Sequence, residues 1–327
     1  MLTLADIEAA RERIAGGVYL SPCVESIPLS QLTGARIFCK LDYLQRTGSF
    51  KERGARNALL KLSPEARRRG VIAASAGNHA QGVAFHGALL GIPVTVVMPQ
   101  FAALVKVSNC RQLGATVVLH GADVGEARIR AEEIARRDDL TFLHPFDNAD
   151  VIAGQGTMAL EILEQAPDLD AIVVPVGGGG LLAGIGTAVK ALRPQMRVIG
   201  VEPDHAACLT GALAAGRPVP VPLSPTLADG LAVPMLGALP FEALRRVVDE
   251  VVTVAGPVAD RRRRRRAARR LRRNYRPSAR AGIARRAAAG GRRDRRVTLP
   301  AGAIRLTPRP AVAATAMRMP MQSRRGR

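Results

Sequence analysis

Lys51 stands in the run RTGSFKERGARNALL, residues 46–60, where its amine could do covalent chemistry. Ser49 and Glu52 have the spacing of a capping box, which predicts a helix starting there with Lys51 in its first turn. The positive end of a helix disfavours an ammonium and favours a neutral, nucleophilic amine. A neutral lysine can form a Schiff base with an aldehyde, which arginine cannot. The chain has five lysines, Lys40, Lys51, Lys61, Lys106 and Lys190, in a sequence that otherwise uses arginine. Taken alone, the segment reads more simply as a solvated lysine on an ordinary helix.

Two further segments could receive anions. In VIAASAGNHAQGVAFHG, residues 71–87, a strand runs through Ser75, Ala76, Gly77 and Asn78 into a helix. Small residues at such a turn let backbone amides approach a carboxylate or phosphate. Asn78 can donate and accept, which suits a ring hydroxyl or a carboxylate. His79 and His86 read as helix residues with a local hydrogen bond, because no carboxylate lies at metal-ligand spacing. In AIVVPVGGGGLLAGIGTAVKAL, residues 171–192, Gly177, Gly178, Gly179 and Gly180 fall between a strand and a helix starting near Leu181. Successive amides in that turn can wrap a phosphate. A dinucleotide is the competing ligand, since Glu202 ends the next strand, but Leu182 occupies the third glycine position of GxGxxG.

The segments SFKERGA, SAGNHAQG and VGGGGLLAG occur in one order, and together the sequence resembles the threonine dehydratases of the tryptophan-synthase-β-like class. The resemblance covers residues 7–254. It implies pyridoxal 5'-phosphate as cofactor, Lys51 as its Schiff-base amine and as the base at Cα, and Phe50 packed beside the cofactor. It further implies Asn78 on the ring hydroxyl, and Ser75, Gly77, Asn78 and His79 around the substrate carboxylate. Gly177, Gly178, Gly179, Gly180 and Leu181 would hold the cofactor phosphate. The implied reaction converts L-threonine to 2-oxobutanoate and ammonia, or L-serine to pyruvate. Serine racemases, threonine synthases and cysteine synthases are the alternatives in the same class. Racemases usually carry a serine where Ala76 stands, and alanine cannot transfer a proton. They also bind a divalent metal through a segment similar to GVEPDHAAC, residues 200–208, where Cys208 replaces the expected carboxylate, so no metal site is expected. Asp229, in TLADGLAV, is read as structural.

Positioning these groups requires βα units. Apolar, β-branched runs at 36–44, 71–75, 93–98, 116–120, 141–144, 171–176 and 197–202 read as strands. Helical patterns lie at 50–62, 79–90, 125–137, 152–165 and 181–192, after an amphipathic helix at the N-terminus. The alternation predicts an α/β fold of two open, twisted, mainly parallel sheets with flanking helices. The family pattern divides it into a large phosphate-holding domain, 1–45 with 148–254, and a small domain, 46–147. Residues 216–240, rich in Pro and Gly, read as an extended surface connection.

Charge divides the chain differently. The formal net charge is +21, yet residues 1–254 carry 24 Lys+Arg against 25 Asp+Glu, while residues 255–327 carry 24 Arg against 2 acidic residues. Six arginines run from 261 to 266, no strand alternation follows, and such repulsion opposes compaction. The absence of lysine there fits a coding sequence read out of frame better than a basic arm, which would grip nucleic acid nonspecifically. No SGGN-like segment, which in the family supplies the Ser or Cys on the pyridine nitrogen, follows Val254. Four scattered cysteines and an acidic N-terminal helix point to a cytoplasmic enzyme without disulfides, secretory signal or membrane span. The family pattern adds a homo-oligomer acting on a small amino acid.

Overall fold

The computed structural model describes residues 2–224, 228–255 and 311–315. Helix α1 (Leu4–Ile14) is closed by a capping box, the Asp6 amide donating to Thr3 Oγ1 at 3.2 Å and the Thr3 amide to Asp6 Oδ2 at 2.9 Å. Strand β1 (Cys23–Glu25), α2 (Ile27–Thr33) and β2 (Arg36–Lys40) follow. A single turn, Asp42–Leu44, then leads to α3 (Lys51–Leu60) and α4 (Pro64–Arg69). Next come β3 (Val71–Ala74), α5 (Asn78–Leu90), β4 (Val94–Met98), α6 (Leu104–Gln112), β5 (Thr116–Leu119), α7 (Val124–Asp138) and β6 (Thr141–Phe142). The chain continues through α8 (Ala149–Gln165), β7 (Ala171–Pro175), α9 (Gly180–Leu192), β8 (Arg197–Pro203) and α10 (Cys208–Ala215). It then forms α11 (Ala238–Val247), β9 (Glu250–Val254) and β10 (Ala311–Thr315).

Among the described residues the strands make two sheets, one ordered β5-β4-β3-β6 and one ordered β1-β2-β10-β7-β8-β9. Every pairing is parallel except β1 with β2. Parallel strands covered on both faces need unbroken apolar runs, and all four residues of β3 are buried. Ile72, Leu143, Ile172, Leu182 and Ile185 are fully buried, and each such side chain stabilises the fold by about 2 kcal/mol. Three loops leave the carboxyl ends of parallel strands: 75–77 after β3, 143–148 after β6 and 176–179 after β7. That end of an open α/β sheet is where ligands bind. No helix among the described residues is long and apolar enough to cross a membrane.

Three expectations need correction. The strand over 36–44 stops at Lys40, because Asp42 turns inward to meet Arg53. The connection over 216–240 holds a turn at Asp229–Leu231 and the start of α11. The expectation of no strand past Val254 fails at β10, which pairs in parallel with β2 on one side and β7 on the other. AVAAT carries no arginine, so charge repulsion does not oppose its entry between two strands whose facing edges need partners. The rest of the Arg-rich tail, 256–310 and 316–327, lies outside the described residues.

Candidate functional site

Lys51 is the first residue of α3, and its Nζ donates to the Pro145 carbonyl at 2.9 Å. Desolvation lowers this amine from an ordinary 10.5 to about 8. The easier deprotonation expected from the helix terminus thus comes from a different cause, burial. The capping box is also absent. Phe50 is the N-cap, the Lys51 amide lies 3.4 Å from Ser49 Oγ, and Glu52 instead accepts from the Thr47 amide. Glu52 is fully buried opposite His86, 3.4 Å from its Nε2. The Phe50 ring lies beside the lysine, its centroid 5.1 Å from Nζ.

The loop after β3 is accessible where chemistry requires it. Asn78 is exposed, Ser75 and Gly77 are half-buried, and Ser75 Oγ accepts from the Gly77 amide at 3.2 Å. Gly77 is the N-cap of α5, so the first amides of that helix have no intrahelical acceptor. His79 is buried, with Nε2 at 3.0 Å from the Leu143 carbonyl. Burial, with the neighbouring Lys51 charge, lowers its pKa to about 3, so the ring is neutral. The bonding of His79 and the placing of His86 against Glu52 both cross the fold, in contrast to the local bonds expected for them.

The glycine turn is shaped by what surrounds it. Gly179 has φ 89° and forms the N-cap of α9, a left-handed conformation that side chains disfavour. A Cβ on Gly178 would stand 2.3 Å from the Phe146 ring. The Gly178 carbonyl accepts from the Gly237 amide at 3.2 Å, and the Gly177 carbonyl accepts from Cys208 Sγ at 3.0 Å. With the carbonyls engaged from behind, the amides of the turn and of the first turn of α9 remain for an anion. Glu202 accepts from the amides of Leu209 and Thr210 at 2.9 and 2.8 Å, so it fixes α10.

Segment 143–146 joins all three motifs. Leu143 accepts from His79, Pro145 accepts from Lys51, and Phe146 packs on Gly178 and Gly180. Asp147 then accepts from the amides of Ala238 and Leu239 at 3.1 and 2.8 Å, fixing the start of α11. Read as a strand from the sequence, residues 141–144 form one only over Thr141–Phe142, and the role of the segment after it was missed. Backbone carbonyls do most of the work, and they leave no side-chain signature. The Pro145–Phe146 pair at a strand's end was the available hint.

The arrangement combines a buried amine of lowered pKa, a glycine anion cradle that side chains would fill, and an exposed asparagine at the start of α5. It defines an α/β enzyme that binds a phosphorylated aldehyde. The chain matches the family model "Pyridoxal-phosphate dependent enzyme" over residues 14–299. The L-threonine ammonia-lyase of Thermotoga maritima is 47% identical over 254 residues, which are 78% of this chain and 63% of that protein. The chain therefore spans somewhat under two thirds of that relative's length. A processed threonine deaminase from Solanum lycopersicum superposes with a TM-score of 0.73 at 41% identity, covering 77% of this chain and 73% of that one. Serine racemase from Dictyostelium discoideum gives 0.74 at 36% identity, covering 78% and 82%. The chain belongs to the pyridoxal-phosphate dependent enzymes of the tryptophan-synthase-β-like fold. The residues present fit that cofactor: the buried Lys51 amine suits an aldehyde, and the glycine turn suits a phosphate.

Proposed function

We propose that this chain is an L-threonine ammonia-lyase, converting L-threonine to 2-oxobutanoate and ammonia. The observation that carries the proposal is the Lys51 amine, lowered to about 8 by burial and aimed by the Pro145 carbonyl. When bound, pyridoxal phosphate supplies the electron sink that makes an amino acid's Cα proton removable. The amides of Gly177, Gly178, Gly179, Gly180 and Leu181 would hold the phosphate, the Asn78 amide group would orient the ring hydroxyl, and Phe50 would pack beside the cofactor. Ser75 with the amides of Gly77, Asn78 and His79 holds the substrate carboxylate, while the buried His79 ring faces Leu143. Lys51 Nζ takes the Cα proton, and a pKa near operating pH suits a general base. The β-hydroxyl then leaves as water, and one water returns when the nitrogen is released as ammonia.

L-Serine, losing its hydroxyl in the same way, would give pyruvate. Ala76 has no proton to deliver from the opposite face, which supports elimination over racemisation. The 41–47% identity to proteins named for threonine deamination supports the same choice. The proposal includes a small domain, 46–147, and a large one, 1–45 with 148–254, with the cofactor between them, in a cytoplasmic homo-oligomer. The test is a keto-acid assay of the purified chain with pyridoxal phosphate and L-threonine. The expected result is 2-oxobutanoate from the wild type and none from Lys51→Ala. Activity that survives Lys51→Ala, or a wild type that forms no keto acid, overturns the proposal.

A further inference from the structure

We propose that the His79 ring is a positioning residue that holds segment 143–146 in place, so that Pro145 aims the Lys51 amine and Phe146 backs the glycine turn. The inference rests on the reading of Lys51 as the cofactor lysine. Its geometry is specific. A carbonyl can only accept, so His79 Nε2 carries the hydrogen that reaches the Leu143 oxygen at 3.0 Å. Nδ1 is then a bare acceptor, buried and without a hydrogen-bond partner. Leaving one nitrogen unsatisfied is costly, and the cost is offset only if the other bond matters. Two residues on from Leu143, the Pro145 carbonyl takes the Lys51 hydrogen bond at 2.9 Å. One residue further, the Phe146 ring fills the space that a Cβ on Gly178 would need. A ring on α5 thus ties down the strap linking α3 to the turn before α9.

The same strap has other anchors, which define what His79 adds. The Leu143 amide donates to the Ile72 carbonyl at 2.8 Å, and the Asp147 amide donates to His144 Nδ1 at 2.8 Å. These hold its two ends through strand and turn, whereas His79 ties it to α5.

The side-chain amide of glutamine places a donor where Nε2 stands, whereas asparagine places its donor nearer the backbone. The experiment compares wild type, His79→Gln and His79→Asn without cofactor. Amide hydrogen exchange is read at Phe146 and Asp147, and then the rate at which added pyridoxal phosphate produces its lysine-bound absorbance. Loss of one buried hydrogen bond should make His79→Asn exchange about tenfold faster and capture cofactor about tenfold more slowly, with His79→Gln close to wild type. Asparagine and glutamine variants that behave alike in both measurements overturn the inference. A wild type that captures no cofactor refutes the lysine reading instead, and the exchange comparison still decides whether His79 holds the strap.

Discussion

Arg53 and Asp42 form a bidentate pair in the interior, Nε and Nη2 each 2.8 Å from a different oxygen of the carboxylate. Arg53 lies two residues beyond Lys51 on α3, and its Nη2 also donates to Glu161 Oε2 of α8 at 2.8 Å. Lys40 at the end of β2 approaches the same Glu161 oxygen at 2.6 Å. Two cations and two anions therefore cancel where β2, the Asp42–Leu44 turn, α3 and α8 meet. Burial alone would raise Asp42, but the Arg53 charge and hydrogen bonds from Arg53, Ser21 and Gln45 hold it below its ordinary 3.8.

Replacing Asp42 by Ala should leave two buried cations sharing Glu161. Breaking such a network from one side costs about 3–5 kcal/mol. Urea unfolding at neutral pH would measure it. The Asp42 contribution is present above the ordinary carboxylate value and fades as pH falls through the lowered one. Wild type and Asp42→Ala should therefore converge in stability in strong acid. A variant within about 1 kcal/mol of wild type at neutral pH would show the network to be dispensable.

The Lys51 amine should show its lowered pKa before any substrate is present. With a value of about 8, the neutral fraction falls about tenfold for each pH unit below it. Capture of pyridoxal phosphate by the cofactor-free chain should rise with pH and level off above about 8. Stopped-flow absorbance across the pH range reads this directly. A rate still climbing at pH 10 would mark an ordinary, solvated lysine.

What the sequence made legible was the part written in side chains. SFKERGA, SAGNHAQG and the four glycines are local runs, and the apolar strands around them are equally local, so both sheets' parallel cores could be anticipated. The strap at 143–146 could not, since Leu143 and Pro145 act through carbonyl oxygens. Nor could the buried quartet, because Arg53 and Glu161 are 108 residues apart and charged residues ordinarily read as solvated. Glu52 misled for a related reason. Its capping spacing was real, but in its buried position the carboxylate accepts from the Thr47 amide instead.

The contact between Gly178 and Phe146 makes a paired prediction. Gly178→Ala places a methyl 2.3 Å from the ring, and overpacking of that kind costs about 1–3 kcal/mol. The strain falls on the phosphate turn, so cofactor affinity should drop by about tenfold or more. Adding Phe146→Leu to Gly178→Ala should restore part of it by making room. Equilibrium titration with pyridoxal phosphate would compare the three proteins. Equal affinity in wild type and Gly178→Ala would mean that the ring moves aside without cost.

Strand β10 gives the last prediction. Ala311, Val312, Ala313, Ala314 and Thr315 pair with Arg36, Ile37, Phe38, Cys39 and Lys40 of β2. Val312, Ala313 and Ala314 also pair with Ala171, Ile172 and Val173 of β7. Both neighbours carry the site, since β2 leads to α3 and Lys51 while β7 leads to the glycine turn. Deleting residues 311–327 should open two unpaired edges in the middle of the sheet, and such edges recruit other chains. Thermal unfolding should begin at lower temperature, with light scattering that grows with protein concentration, and cofactor capture should weaken with it. If the truncated chain melts and captures cofactor as the full chain does, β2 and β7 hold the site without β10.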